Sequence, residues 1–164
     1  MTLHLIRQIQ TVEDLTSLHD IVGRVVGELC WKISLNYRQE LTLHFGEPIA
    51  YTCHTQLGKD HGSWILGTRG AVWQLKRSGG TTVSGQTGLE AISPVLHHLE
   101  GQSLTAIEVT YPDLRVVIDW SNGDQLTFTP TSDDHDLPDW ELFTPEQRSL
   151  QVGPGITWSY GQSR

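Results

Sequence analysis

The sequence predicts an α+β domain, mainly β, built from two pseudo-repeats of a helix followed by antiparallel strands. Three observations predict it. Apolar residues recur at helical spacing at Leu15, Leu18, Ile21, Val22 and Val25, and again 74 positions later at Leu89, Ile92, Val95, Leu96 and Leu99. Each run stops at a glycine, Gly27 or Gly101, the residue that best tolerates a helix end. Period-two apolar alternation follows each glycine, as strands with one buried face require. At 164 residues the chain is long enough for both units to share one compact domain without a metal or disulfide.

The first helix opens at Thr11, with Asp14 three residues on in the arrangement of a capping box. In the second, Pro94 leaves two options: Ser93 caps a shorter helix with proline at its first position, or a longer helix contains the proline. Ile33, Leu35 and Tyr37 then match Ile107, Val109 and Tyr111. Leu41, Leu43 and Phe45 match Val116, Ile118 and Trp120 with one extra residue between. Asn122-Gly123 suits a type I′ hairpin. Trp64, Leu66 and Thr68 match Trp140, Leu142 and Thr144, and each half closes on a strand bearing a tryptophan, "GAVWQLK" or "GITWSY". The units run over residues 1–76 and 89–164, each helix on the apolar face of its own sheet, with the Gly, Ser and Thr-rich segment 77–88 as a linker.

Three segments carry a resemblance: "YRQELTLHFG", "LEAISPVLHHLEGQSLTAIEVTYPDLRVVIDWSNGDQLTFTP" and "DWELFTPEQRSLQVGPGITW". They resemble an uncharacterised family of small bacterial proteins, a domain of unknown function. That family shows a Tyr-x-x-x-Leu-x-Leu strand, a Leu-x-Gly helix end, a hairpin with a polar glycine turn, and closing Trp-x-Leu and Pro-Gly-x-x-Trp strands. The similarity spans residues 27–158. It implies a fold and a bacterial source, and it supplies no active site.

Charge narrows the partners. The formal net charge is −8, and residues 116–147 hold eight acids (Asp119, Asp124, Asp133, Asp134, Asp136, Asp139, Glu141 and Glu146) with no Lys or Arg. Such a field repels nucleic acid and anionic lipid and attracts a basic protein surface, so the partner expected is a basic protein, with no nucleic acid and no membrane. Residues 1–10 lack the basic and long apolar regions of a signal peptide, and no apolar run approaches the roughly 20 residues that span a bilayer. A cytoplasmic location follows as the default expectation. The two cysteines, Cys30 and Cys53, form no C-x-x-C pair and read as buried thiols on strands.

Ligand-type residues gather in two loops: His54, Asp60 and His61 in the first half, and Asp133, Asp134, His135 and Asp136 in the second. Adjacent acids cannot aim several side chains at one point, and "DDHD" lacks the alternate spacing and glycine of a calcium loop. The solvated-loop reading is therefore preferred, with His54, His61 and His135 as the residues a metal would use. No cofactor is implied. No G-x-S-x-G, H-E-x-x-H or phosphate-loop motif occurs, although Cys30 or Cys53 with a histidine would make a nucleophilic dyad. Of the six tryptophans, Trp31 and Trp73 lack aromatic counterparts and are candidates for a cleft.

The leading expectation is a non-catalytic protein-interaction module whose acidic face, Asp133, Asp134, Asp136 and Asp139, engages a basic partner, as an immunity or accessory factor would. The alternatives are a small-ligand binding module with a tryptophan-lined pocket between the two halves, and a metal-dependent or cysteine hydrolase.

Overall fold

The computed structural model describes residues 5–51, 58–131 and 136–162. Leu5–Gln8 forms β1. The first helical run divides into a 3-10 turn over Val12–Leu15, helix α1 over Thr16–Val22 and a second 3-10 turn over Gly23–Val25. Its Asp14 carboxylate accepts the backbone N–H of Gln10 at 2.8 Å and of Thr11 at 2.9 Å, which anchors the start of the run. The division has a sequence cause: Thr16, Val22, Gly23 and Val25 are weak helix formers, and the packing of Leu15, Leu18, Val22 and Val25 holds the segment in place. Helix α2, Leu89–His97, is the longer of the two options, with Pro94 inside it on the exposed side.

The remaining strands are β2 (Cys30–Leu35), β3 (Leu41–Ala50), β4 (Asp60–Thr68), β5 (Val72–Lys76), β6 (Thr82–Ser84), β7 (Leu104–Val109), β8 (Val116–Trp120), β9 (Gln125–Thr129), β10 (Trp140–Phe143), β11 (Arg148–Val152) and β12 (Thr157–Gln162). They form two antiparallel sheets, a seven-stranded one in the order β1-β12-β11-β10-β4-β3-β2 and a five-stranded one in the order β6-β5-β9-β8-β7. The chain is thus mainly β. Each half lays down a helix and a three-strand meander in one sheet and then sends its next strands across to the other. Inward residues of both sheets, among them Leu43, Phe45, Leu66, Leu142, Leu75, Ile118, Trp120 and Leu126, belong to one continuous core.

The sheets are joined where β2 and β7 begin. Gly27 donates its N–H to Leu104 O (2.8 Å) and Gly101 to Cys30 O (2.7 Å), while Cys30 donates to Gln102 O (2.9 Å) and Leu104 to Glu28 O (3.1 Å). The bonds come in two equivalent pairs, Gly27 and Gly101 donating in one and Cys30 and Leu104 in the other, the equivalent donors standing 74 positions apart, and Leu29 bridges Ser103 at the centre. Beneath it Phe45 stacks on Trp120 at 5.7 Å with planes 15° apart. Both β2–β3 and β7–β8 are bulged one residue in, at Trp31 and Thr105.

Several expectations need correction. Helix α1 packs on β7 and α2 on β2, so each helix covers the edge of the sheet begun by the other half. Within segment 77–88, residues Thr82–Ser84 form β6, so it is not merely a linker. Trp140, Leu142 and Thr144 do not match Trp64, Leu66 and Thr68: β10 and β4 are neighbours in one sheet, with Leu142 opposite Leu66 and Trp140 opposite Thr68. The hairpins that correspond in geometry are β5–β6 and β10–β11, with Trp73 and Leu75 in the places of Trp140 and Leu142. A Trp-x-Leu alternation fits any inward-facing strand, so spacing alone mislays the register. Asn122-Gly123 turns the chain in a three-residue loop and not a type I′ turn, because only Gly123 has positive φ (87°) and Trp120 pairs with Asp124. The same loop closes at Gln39, Gly80 and Gln147. Between β7 and β8 the loop is one residue longer, which accounts for the extra residue in the strand matching.

The stack of Phe45 on Trp120 yields a prediction. Trp120 is 3% exposed, and no acceptor lies near its indole N–H among the described residues. Trp120→Ala should cost about 3–5 kcal/mol of unfolding free energy in urea titrations. Trp120→Phe, which keeps a stacking ring and deletes the unpaired donor, should cost no more than about 1 kcal/mol. Equal losses in the two variants would remove the stack from its role at the junction.

Candidate binding clefts

Two clefts flank the places where the chain crosses between sheets. Each lies between the turn of a first hairpin and the start of a crossing strand. The first lies between the β2–β3 turn and β5, encloses about 330 Å³, and is lined by Arg38, Gln39, Trp73, Gln74, Ser84 and Gln86, among others. The second lies between the β7–β8 turn and β10, encloses about 400 Å³, and is lined by Asp113, Leu114, Pro130, Thr131, Asp139 and the loop Pro154–Ile156. Both volumes are at the lower end of the range for small-ligand sites.

Asp139 dominates the second cleft. The two crossings run past each other here, and its carbonyl accepts the N–H of Arg69 (2.9 Å) and of Ala71 (2.9 Å), while its own N–H donates to Val152 O (2.8 Å). That pinning buries the side chain to 2% exposure. Thr131 N–H donates to its Oδ1 at 3.3 Å, and no described residue donates to Oδ2. Burial raises the carboxyl above the usual range, and the Thr131 hydrogen bond offsets this only in part. Gly153 has to be glycine here, since a Cβ would lie 2.0 Å from Asp139 Oδ2. At the mouth Asp113 is exposed, and hydrogen bonds led by that from Thr110 hold its carboxyl below the usual range. Leu114, Pro130, Pro154 and Ile156 supply apolar walls.

The acidic face was expected at Asp133, Asp134, Asp136 and Asp139, of which the described residues include Asp136 and Asp139. Asp139 and Asp124 are buried. Asp124 accepts the N–H of Ser78 (3.0 Å) and the carboxamide of Asn122 (3.1 Å), tying two turns together. Glu141 is paired with Arg69 at 3.6 Å, and Glu146 with Arg24. Asp136 is exposed, and Asp133 and Asp134 lie outside the described residues.

Trp73, expected at an exposed face or at a cleft between the halves, lines the first cleft beside the β2–β3 turn, with its indole N–H donating to Gln39 O at 3.0 Å. Trp31 lines neither cleft. It is the bulged residue of edge strand β2 and lies half-buried beside the His44 ring, 5.7 Å away. Where β2 and β7 begin, the contact between the halves is filled by Phe45, Trp120, Cys30 and Leu104, all 3% exposed or less, while clefts lined from both halves lie elsewhere, between Tyr51 and Thr144 and between Leu35 and His97, with no tryptophan in their walls. Arg38, Gln39 and Asp113 were missed because a polar residue in a hairpin turn carries no local mark of the strand that will pass beside it.

The metal and nucleophile candidates separate. His54 and His135 lie outside the described residues, as does Cys53. His61 has Nδ1 2.8 Å from Gly62 O and its ring against Tyr51 at 4.6 Å. No group of three metal-ligating side chains occurs among the described residues. The buried Cys30 thiol lies 3.7 Å from Lys32 O, and burial pushes it up to about 12, far from a reactive thiolate. His44 accepts the Gly62 N–H on Nδ1 at 3.0 Å, and burial, with help from Lys32 and His61, lowers it to about 4. No described helix is long and apolar enough to cross a membrane.

Comparison of the chain with protein-family models, with curated proteins and with solved structures finds no match, so no relative's activity bears on either cleft.

His44 gives the protein an acid-sensitive point. Because its folded value of about 4 lies below the ordinary 6.5, its stabilisation is complete above pH 6.5 and is lost as the pH falls toward 4. The full loss should be on the order of 3 kcal/mol. Urea midpoints should therefore decline over that window, and decline less in His44→Gln, whose carboxamide oxygen can still accept from Gly62. An equally steep profile in the variant would assign the acid sensitivity to another group.

Proposed function

We propose that the protein is a non-catalytic binding module whose Asp139 cleft receives a lysine or arginine side chain of a basic partner protein. The observation that carries this reading is a carboxylate 2% exposed, lining a cleft, with one long hydrogen bond from described residues. A carboxylate removed from water in this way is costly unless several donors or a cation compensate it. An entering ammonium or guanidinium group would do so, and the apolar walls suit the methylene stem of such a side chain. The ionised Asp113 at the mouth would favour the approach of positive charge. Non-catalytic character is supported by the state of Cys30 and His44, neither of which is poised as nucleophile or base at neutral pH.

The organisation in two units belongs to the same reading. Helix, meander and crossing strand recur in each half with matching backbone bonds, which supports duplication of one ancestral unit. Membership of the uncharacterised bacterial family rests on the three quoted segments. In a bacterial cell, masking the basic surface of a toxin or enzyme, as an immunity or accessory factor does, is the role such a module would fill.

The test uses an acetylated, amidated pentapeptide with a central lysine beside its norleucine counterpart, with the Thr131 and Gly153 amide signals of the labelled protein as readout. The lysine peptide should produce saturable shifts that strengthen as the pH is raised and Asp139 ionises. Asp139→Asn, which keeps an acceptor for Thr131, should weaken binding by about tenfold or more. Equal binding of the norleucine peptide, or undiminished binding by the variant, would overturn the reading.

A further inference from the structure

We infer that the Arg38 cleft is a second and separate binding site, specific for a carboxylate. This inference does not depend on the Asp139 cleft. Arg38 is the only charged side chain among the residues that line it, and no described acid forms an ion pair with it. The nearest acid in sequence, Glu40, is committed to Arg69 at 3.0 Å. The cleft that Arg38 lines is completed by Gln39, Gln74 and Gln86, which carry carboxamides, by Ser84 and Thr129, which carry hydroxyls, and by Ala71 and Val72. A guanidinium presents a planar fork matched to a carboxylate, and neighbouring carboxamide N–H groups can complete the oxygen's hydrogen bonds. In a chain of net charge −8, a cleft with one cation and no acid is selective for anions by contrast with its surroundings.

The site is also built to hold Arg38 in place. The turn that carries it is closed by Gln39 N–H to Asn36 O at 2.9 Å, and Asn36 Oδ1 accepts the N–H of Arg38 and of Glu40, each at 2.9 Å. Trp73 clamps the turn from below through Gln39 O. Gly85 permits this approach, because a Cβ there would lie 2.9 Å from Gln39 Oε1 and 3.3 Å from Trp73 Nε1. The guanidinium lies 5.6 Å from the Tyr37 ring, a cation–π contact that narrows its range of positions. A volume of about 330 Å³ admits a small organic acid or the last residues of a chain ending in a free carboxylate.

Four probes test the proposal: butyrate, butyramide, and an acetylated tripeptide with a free or an amidated C-terminus. The readout is the Trp73 indole N–H signal at low salt. Saturable shifts with either acid, absent with the corresponding amide, are expected. Stronger binding of butyrate identifies a free acid as the ligand class, and stronger binding of the tripeptide acid a chain end. Arg38→Ala should weaken the acid by about tenfold or more. Arg38→Lys should restore part of the loss, and Arg148→Ala, at an exposed arginine elsewhere, should change nothing. No saturable shift with either acid, equal shifts with the amides, or full affinity in Arg38→Ala would overturn the proposal.

Discussion

The structure depends on four backbone hydrogen bonds exchanged between residues 27–30 and 101–104. Each helix ends on a glycine whose N–H goes to the first strand of the other half, so neither half can complete its helix end alone. The exchange brings the starts of β2 and β7 together and sets Phe45 on Trp120 beneath them. Once the two meanders are held this way, their fourth strands lie nearest to the open edge of the opposite sheet. Crossing over is then the shortest path, and the two crossings meet at Asp139.

The same geometry manages the sheet edges. An edge strand presents unpaired backbone groups that invite another chain. Edge strand β7 has its Val109 N–H accepted by His19 from α1, at 3.1 Å. Edge strand β2 has its Ile33 N–H accepted by Glu100, just beyond α2, at 3.2 Å. The far edge of the smaller sheet, β6, is three residues long, and Thr87 takes the Ser84 N–H on its hydroxyl and returns its own N–H to Ser84 O. Much of the acidic charge has a comparable structural use. Asp14 holds the entry to α1, Asp124 ties the turns at Ser78 and Asn122, and Glu141 and Glu146 pair with arginines from other segments.

The two clefts occupy corresponding places and differ in sign. Arg38 and Asp113 stand on turns that join the first two strands of each meander, and Val72 and Asp139 lie where the crossing strands begin. In the second, the chain continues past Val152 and lays Pro154–Ile156 along the opening. In the first, the chain turns at Gly85 toward α2, and Gly85 and Gln86 line the cleft there. One scaffold position thus carries a fixed cation in one place and a buried carboxylate in the other, the proposed basis of two distinct specificities.

Both helical runs and most strand faces, though not those of β6 and β11, were legible in the sequence, because the periods of 3.6 and 2 report which side of an element is buried whatever it packs against. Tyr37 and Tyr111, expected on strand faces, are exposed in turns. The glycines ending the helices and the loop residues Gly80 and Gly123 were legible for the same local reason. Tertiary structure alone decided where each strand went. Trp-x-Leu in β4, β5 and β10 has one pattern and three destinations, and sheet order is set by which open edge a crossing strand meets. It also decided the site. Asp139 reads in sequence as one acid among many in a solvated loop, yet the passing of two chain crossings removes it from water and leaves it facing a cleft. Arg38 reads as a turn residue, and becomes a candidate ligand only because Trp73, distant in sequence, clamps its turn from below.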